Sequence, residues 1–453
     1  MDISKYKKIY FIGIGGVSMS SLALYYKSIG HTVAGSDVAN SKIIEDLVSQ
    51  NIAVNLAQDG STIYGSDLIV YSGAIHEDNA DYRREKELNI LVIERSELLG
   101  DYISHFSDAI VVSGTHGKTT TSSMLTNIFM CAKLNPSAHI GGVCNNIGSS
   151  HLFGGGQYLV VEGCEYRNSF FNFVGRYHVV LNIECDHMDY YSDFSAIKRA
   201  FLDFANHSTE YVFVPYNCEI LPYISTNKKV ITVGGKDGNF VANNIKFKDG
   251  EYSFDAYCNG LYLCNFKLPT IGKHNVQNAL FAIAVAYTAK VPLTAIYKGL
   301  KTFAGVGRRY EEVGKISNIP LICDYAHHPT EICASISGIK EKYRNVYCVF
   351  QPHTYSRTKA LINEFSTCFA GVKALAIYKT YPAREKYDKK GDASTLCRKI
   401  KISDMRKRLI LDEKELEECI LLWSKQKQSK NTCILVLGAG DIYNSVNKFI
   451  KNR

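Results

Sequence analysis

The sequence predicts an α/β protein built from parallel sheets and folded as several domains. Three observations carry that expectation. Short β-branched apolar runs alternate with helical stretches along the chain, a pattern that gives parallel sheets covered by helices. Those runs end in Gly, Asp or His, at the strand ends where open parallel sheets gather ligands. The length, 453 residues, exceeds what one hydrophobic core holds, since a domain usually takes about 100–200 residues.

The first block opens with a strand over Lys8–Ile12. The turn Gly13-Ile-Gly15-Gly16-Val17-Ser18 follows, then a helix through Tyr26. His31–Val33 reads as a strand leading to Asp37, Lys42–Gln50 as a helix, and Asp67–Tyr71 and Ile90–Ile93 as further strands. This alternation predicts a Rossmann-like N-terminal domain over residues 1–103.

The second block, 104–304, starts with a strand over Asp108–Ser113 that feeds a Gly-rich loop and a helix over Thr119–Cys131. Strands over Tyr158–Val161 and His178–Ile183 carry polar residues at their ends. Residues 210–270 look β-rich, and a helix over His274–Ala289 closes the block. The third block, 305–453, is again Rossmann-like, with strands over Pro320–Cys323, Val346–Phe350, Ala374–Tyr378 and Thr432–Leu437.

Composition excludes several classes. A hydrophobic content of 46% with 21% charged residues is ordinary for a globular protein. The net charge of +8 comes without a long Lys/Arg block, which argues against nucleic acid as a partner. No apolar stretch approaches the roughly 18 residues of a membrane span. The N-terminus lacks the apolar core of a signal peptide. The fourteen cysteines are scattered without zinc-ligand spacing, so they read as reduced thiols of a cytoplasmic protein.

The strongest chemical signal is Gly114-Thr115-His116-Gly117-Lys118-Thr119-Thr120. A Gly-rich turn between a strand and a helix N-terminus offers backbone N–H groups to phosphate oxygens. Lys118 would reach the β- and γ-phosphates of ATP, and the Thr119 hydroxyl would face Mg²⁺. The strict pattern needs Gly at 112, where this chain has Val112, so the loop is a shortened variant. Glu162 and His187 follow strands of the same block, and a carboxylate and an imidazole there suit a divalent cation. The first turn differs from a dinucleotide fingerprint by Ser18 in place of the third Gly, although Asp37 lies 22 residues after Gly15, near the ribose-reading distance. A nicotinamide dehydrogenase is the competing reading, and it leaves the second phosphate loop unexplained.

These segments resemble the Mur ligases of bacterial cell-wall synthesis from end to end and in motif order. The resemblance rests on Gly13–Gly16, Ser72-Gly-Ala74-Ile75, Gly114–Thr121, Asn182–Asp189, Gly272-Lys-His274-Asn-Val-Gln-Asn278, Arg308-Arg309, Asp324-Tyr325-Ala-His327-His328-Pro-Thr-Glu331, Phe350-Gln-Pro-His353-Thr-Tyr-Ser-Arg357 and Gly438-Ala-Gly440-Asp441. The Asp324–Glu331 and Phe350–Arg357 segments look like the L-alanine-adding branch.

The resemblance implies ATP-dependent joining of L-alanine to the carboxylate of UDP-N-acetylmuramate through an acyl phosphate. Siblings that attach a recycled peptide, or a non-catalytic Mur-like binding subunit, are the alternatives. It implies that Gly15, Gly16, Val17, Ser36, Asp37, Ser72, Ala74, His139 and Asn145 contact the sugar nucleotide. His274, Asn278, Arg308, Arg309 and Asp324 join the phosphate loop around ATP. Thr119, Glu162 and His187 would hold two Mg²⁺ ions, which Mn²⁺ can replace. Tyr325, His327, His353 and Arg357 line the alanine side, with His327 a candidate proton acceptor because imidazole titrates near neutrality. Lys118, Glu162, His187, Arg309 and His327 are the candidate catalytic set. The resemblance further implies a monomer or weak homodimer. One departure stands out: the usual Glu-Ala-Asp-Glu-Ser-Asp is here Glu162-Gly-Cys164-Glu165-Tyr166-Arg167.

Overall fold

The structure, a computed structural model, describes the chain except residues 1–2, 74, 76–77, 188–189, 384, 403–404, 426–430 and 453, and the side chains of 85–87. The described residues form three sheets, and the chain clusters into two compact units. The first comprises Met1–Ile183, Ile197–Val241 and Phe281–Gly299; the second comprises Glu184–Ala196, Ala242–Leu280 and Leu300–Arg453.

In the first unit, strands β1 (Lys8–Ile12), β2 (Thr32–Ser36), β3 (Ala53–Asn55), β4 (Leu68–Tyr71) and β5 (Leu91–Glu94) make a parallel sheet in the order β3-β2-β1-β4-β5. Chain direction across the sheet reverses at β1, which is where such sheets bind ligands, and the Gly13–Ser18 turn leaves β1 at that point. Helix α1 (Val17–Ser28) starts from Gly16, and α2 (Lys42–Ser49) starts at Ser41, whose hydroxyl accepts from the Ile44 N–H. Helix α3 (Ala80–Leu88) precedes β5. Helix α4 (Arg95–Ser104) then opens with a capping box between Glu94 and Glu97.

The same unit holds β6 (Asp108–Ser113), α5 (Lys118–Cys131), β7 (Ser137–Cys144), β8 (Ser149–Leu152), β9 (Tyr158–Glu162), β10 (Tyr177–Val180), β11 (Tyr211–Pro215) and β12 (Lys229–Val233). Their order is β12-β11-β10-β6-β9-β7-β8, parallel except for the β7–β8 hairpin. Strand β6 sits between β10 and β9, so both of its neighbours deliver their ends beside the phosphate loop. All six residues of β6 are buried, as a strand covered on both faces requires.

Helix α6 (Phe194–Asn206) follows β10 along the chain. The β-rich stretch continues through β13 (Phe240–Lys248) and the antiparallel hairpin β14 (Glu251–Cys258) and β15 (Leu261–Leu268). Helices α7 (His274–Thr288) and α8 (Leu293–Lys301) come next.

In the second unit β16 (Glu311–Ile316), β17 (Ile319–Asp324), β18 (Asn345–Phe350), β19 (Ala374–Tyr378), β20 (Arg406–Ile410) and β21 (Thr432–Leu437) take the order β16-β17-β21-β18-β19-β20. All pairs are parallel except β16 with β17. Alternate strand residues feed two cores: Ile322, Phe350 and Leu375 on one face, Leu321, Val349 and Ala376 on the other. Helix α9 (Pro329–Lys340) packs on the first face and α10 (Tyr355–Ala360) follows β18. All fourteen cysteines are free thiols, and among the described residues no helix is long and apolar enough to cross a membrane.

Candidate active site

The phosphate loop is shaped by two left-handed glycines and one asparagine. Gly114 takes φ +139° and Gly117, the N-cap of α5, takes φ +85°. A Cβ on Gly114 would stand 2.9 Å from the Cβ of Leu181, so no larger residue fits. Asn182 clamps the loop from the end of β10. Its Oδ1 accepts the His116 N–H at 2.8 Å, its Nδ2 donates to the His116 carbonyl at 3.0 Å, and its own carbonyl accepts the Thr115 N–H at 3.2 Å. Strand β10 therefore stops at Val180, short of the expected Ile183, because Asn182 leaves the sheet to bond the loop.

Helix α5 begins at Lys118, whose Nζ donates to the Gly114 and Thr115 carbonyls and to both oxygens of Glu165, at 3.0 and 3.3 Å. Burial works to lower the Lys118 ammonium, but Glu165 and Cys164 more than offset it and hold it above its ordinary value. One turn of chemistry further, the Thr119 hydroxyl donates to Glu162 Oε2 at 3.2 Å, and the Gly141 N–H donates to Oε1 at 2.7 Å. A Cβ on Gly141 would stand 2.9 Å from Glu162 Oε2, so a larger residue there would displace the carboxylate. The sheet sets this juxtaposition, because Val112 of β6 pairs with Glu162 of β9. A hydroxyl and a carboxylate side by side are the hard oxygen donors that Mg²⁺ takes, so these residues fit the ion.

Around the first turn, Gly16 and Val17 are exposed. Asp37 Oδ2 accepts the Gly15 N–H at 2.8 Å and its Oδ1 accepts the Val38 N–H at 2.8 Å. Ser72 lies at the end of β4, with its N–H donating to the Ile12 carbonyl at 3.3 Å. Asn145 is exposed in the β7–β8 turn, and Ala74 lies outside the described residues. Two residues expected among the sugar-nucleotide contacts turn inward. Ser36 is fully buried with its hydroxyl on Asp81. His139 of β7 is 5% exposed, with Nε2 2.8 Å from the Ser18 hydroxyl and Nδ1 3.1 Å from that of Ser21. Arg95 donates to Ser18 at 3.1 Å. Burial, with Arg95 nearby, pushes His139 down to about 3, so its ring is neutral.

In the second unit the four residues expected on the alanine side form one cluster. The rings of Tyr325 and His327 are 5.4 Å apart, those of His327 and His353 5.6 Å, and His353 Nδ1 lies 3.1 Å from the Arg357 guanidinium. Arg357 also donates to Asp186 Oδ1 at 3.0 and 3.2 Å. Burial works to raise the Asp186 carboxyl, but Arg357, His187 and His327 hold it well below the usual carboxylate range. Glu184 accepts from the Thr330 hydroxyl at 2.8 Å. His187, between Asp186 and Met188, adopts φ +55° and is half-buried, with its backbone N–H on Asp186.

His327 corrects one premise. Burial pushes its imidazole down to about 3, against the opposing pull of Glu331, so it is neutral and only weakly basic. The near-neutral titration expected of it does not hold, because the ring is enclosed and Arg357 stands close by.

Arg308, at φ +61°, donates to the Gly440 and Gly438 carbonyls at 2.9 and 3.4 Å and lies between the rings of Tyr325 and Tyr443. Arg309 lies over Tyr325 and 3.9 Å from Glu331. Asp324 is buried and accepts the N–H groups of Tyr310 and Ala326, at 3.0 and 2.9 Å, which ties down the turn after β17. His274 is exposed and stacks on Tyr310, and the Asn278 amide donates to Asn275 at 3.0 Å. Reading residue types alone missed Asn182, Gly141 and Glu165 as parts of the loop machinery. It also missed Glu331, whose carboxylate accepts the His327 and His328 N–H groups. The capping-box spacing His328-x-x-Glu331 is the signal that could have found the last.

A shortened phosphate-type loop with a hydroxyl–carboxylate pair beside its lysine, carried on one of three α/β sheets, has the features of a nucleotide-using enzyme. The chain belongs to the Mur ligase family. Family models described as "Mur ligase family, catalytic domain", "Mur ligase middle domain" and "Mur ligase, glutamate ligase domain" match residues 8–107, 112–286 and 308–440. The chain is 36% identical over 460 residues to the UDP-N-acetylmuramate–L-alanine ligase of Caldanaerobacter subterraneus subsp. tengcongensis, covering 100% of this chain and 99% of that protein. The enzyme of the same name from Clostridium acetobutylicum is 39% identical over 450 residues, covering 98% and 96%. The structure matches the crystal structure of UDP-N-acetylmuramate-alanine ligase from Thermotoga maritima with a TM-score of 0.83 at 26% identity, over 98% of both chains.

Proposed function

We propose that this chain joins L-alanine to the carboxylate of UDP-N-acetylmuramate, with ATP, through an acyl phosphate, as a step of peptidoglycan precursor synthesis. The observation that carries the reading is the Thr119–Glu162 pair beside Lys118 in a chain that matches alanine-adding relatives over its full length. Residues 1–103 are the proposed sugar-nucleotide domain, 104–304 the ATP domain and 305–453 the amino-acid-side domain. The enzyme is proposed to work in the cytoplasm as a monomer or weak homodimer.

The chemistry needs no protein nucleophile. A substrate carboxylate oxygen attacks the γ-phosphorus, the bond to the ADP oxygen breaks, and an acyl phosphate and ADP result. The alanine amine then attacks the acyl carbon, loses a proton, and phosphate leaves. The first step brings two anions together, so positioning and neutralisation supply most of the rate. Lys118 supplies one charge, and the backbone N–H groups of the α5 N-terminus add their dipoles. Arg308, Arg309, Asp324, His274 and Asn278 are the proposed nucleotide contacts of the second unit. Thr119, Glu162 and His187 would hold two Mg²⁺ ions, and bound Mg²⁺ supplies Lewis-acid neutralisation of phosphate charge. Tyr325, His327, His353 and Arg357 are proposed to receive alanine, Arg357 being suited to a carboxylate. His327, neutral and weakly basic, is better suited to orienting the amine than to holding its proton.

Coupled phosphate release, measured with UDP-N-acetylmuramate and a panel of amino acids plus one tripeptide, tests this reading. Release with L-alanine is expected. Release with the tripeptide alone would replace the specificity and keep the mechanism, and no release with any acceptor would end the assignment.

A further inference from the structure

We propose that Glu165 is a positioning residue that holds the Lys118 ammonium in the phosphate loop and competes with the nucleotide's phosphate for it. The inference rests on reading Lys118 as the cation of the ATP site. Both Glu165 oxygens face Nζ, at 3.0 and 3.3 Å, and the carboxylate side chain is only 4% exposed. A buried carboxylate needs a buried partner, because leaving it desolvated and unpaired is costly. Lysine has three N–H donors on a long, mobile stem. Here they meet one carboxylate and the carbonyls of Gly114 and Thr115, which fixes the stem in one place.

The segment that carries Glu165 is built to be rigid. Directly after β9, a Cβ on Gly163 would stand 3.0 Å from Val111 Cγ1. The Asn168 N–H then donates to the Glu165 carbonyl at 3.0 Å, and the Phe170 N–H to the Cys164 carbonyl at 3.1 Å. Arg167 and Asn168 both take left-handed φ, +53° and +55°, a strained pair that persists only where its surroundings hold it. Phe170 supplies that hold, being fully buried and stacked on Phe204 at 4.7 Å. The two carboxylates three residues apart therefore divide their work. Glu162 addresses the Thr119 hydroxyl, and Glu165 addresses the Lys118 ammonium.

An incoming phosphate must share Lys118 with a carboxylate that does not move away. Their mutual repulsion weakens nucleotide binding, while the fixed lysine keeps its place for the transferred group. Glu165→Gln keeps the shape and removes the charge. In the full-length enzyme its affinity for Mg-ATP, measured by calorimetry, is expected to rise about tenfold, which is the worth of one charge-assisted hydrogen bond. Its kcat is expected to fall about 10- to 100-fold, with KM for ATP falling too.

A merely structural role would instead weaken binding and turnover together. That outcome, or unchanged affinity and kcat, overturns the proposal. Should the Gln variant fail to fold, Glu165→Asp, which withdraws the charge by one methylene, is judged on the same two numbers with smaller changes of the same sign. Wild-type turnover in the same assay separates the two claims. A silent wild type defeats the functional reading, whereas an active wild type with an unaffected Gln variant defeats only the role of Glu165.

Discussion

The first unit contains, among its described residues, two strand–turn–helix segments built on the same plan, and they differ in what stands beside the turn. In both, a strand buried up to its C-terminal end runs into a Gly-rich turn and a helix starts immediately: β1 to α1 through Gly13–Gly16, and β6 to α5 through Gly114–Gly117. In both, a hydroxyl near the helix N-terminus reaches a partner on another strand, from a different sheet in the first case and from the adjacent strand in the second. Ser18 meets His139 of β7, and Thr119 meets Glu162 of β9. The first turn is closed by a carboxylate, Asp37, on the Gly15 N–H. The second is closed by an uncharged amide, Asn182, and carries a lysine. A helix N-terminus alone is enough to hold a diphosphate. Transferring a phosphoryl group needs a cation and metal-binding oxygens as well. On the proposed function, the comparison separates a holding site from a reacting site on one scaffold.

The sharpest way to break this contrast is Lys118→Ala. It is expected to lower phosphate release about 10³-fold while leaving circular dichroism and the melting temperature near wild type. Turnover near the wild-type rate would show that the second turn is also only a holding site. Glu162→Gln should follow with about a 10²-fold loss in kcat, partly recovered by raising Mn²⁺. A loss that no metal concentration changes would remove Glu162 from the metal site.

The first turn should respond more weakly and through binding. Ser18→Gly removes the bond to His139, so KM for UDP-N-acetylmuramate should rise about five- to tenfold with kcat within about twofold. A matching rise in KM for ATP alone would mean the two turns are not separable in this way.

A further effect concerns pH and stability, and it bears on the buried rings and not on the two turns alone. Burial pushes His139, His178 and His327 down to about 3, below the ordinary 6.5. Above pH 6.5 they are neutral in folded and unfolded chains alike. Below it the unfolded chain takes up protons that the folded protein refuses until about pH 3, so stability falls, by up to about 1.4 kcal/mol per pH unit for each ring. The melting temperature should therefore be lower at pH 5.0 than at pH 7.5. The depressed carboxylates Asp186 and Glu210 add their loss only below about pH 4.5. An equal melting temperature at the two pH values would contradict the buried neutral state.

Much of this was legible from local pattern. Strands over Asp108–Ser113, Ala374–Tyr378 and Thr432–Leu437 match the apolar runs to the residue, because each run is bounded by polar or turn-forming neighbours. The phosphate loop was legible because its residues are contiguous. The β7–β8 hairpin was not, since Ser137–Leu152 is interrupted by Gly141-Gly142 and Asn145-Asn146, and its register is irregular between His139 and Cys144. Helix Arg95–Ser104 was passed over although Glu94 and Glu97 spell a capping box, because a charged cap reads like an exposed turn. The partners of the loop, Asn182, Gly141 and Glu165, were hidden for another reason. They lie 66, 21 and 47 residues from the groups they bind, and only sheet order brings them there. The inward placement of Ser36 and His139 was equally invisible, since Ser and His give no sign of burial by type.

Val112, where the strict loop pattern asks for Gly, makes Glu162 sensitive to insertions. By continuing the strand instead of starting the loop, it sits opposite Glu162 in the β6–β9 ladder. Side chains along a strand alternate between faces, so a one-residue insertion within Asp108–Ser113 or Tyr158–Glu162 would turn the carboxylate to the other side of the sheet. A two-residue insertion would keep the face but shift the carboxylate along the strand by about 6.6 Å, beyond the reach of the Thr119 hydroxyl. Neither strand admits an insertion without uncoupling the carboxylate from the Thr119 hydroxyl.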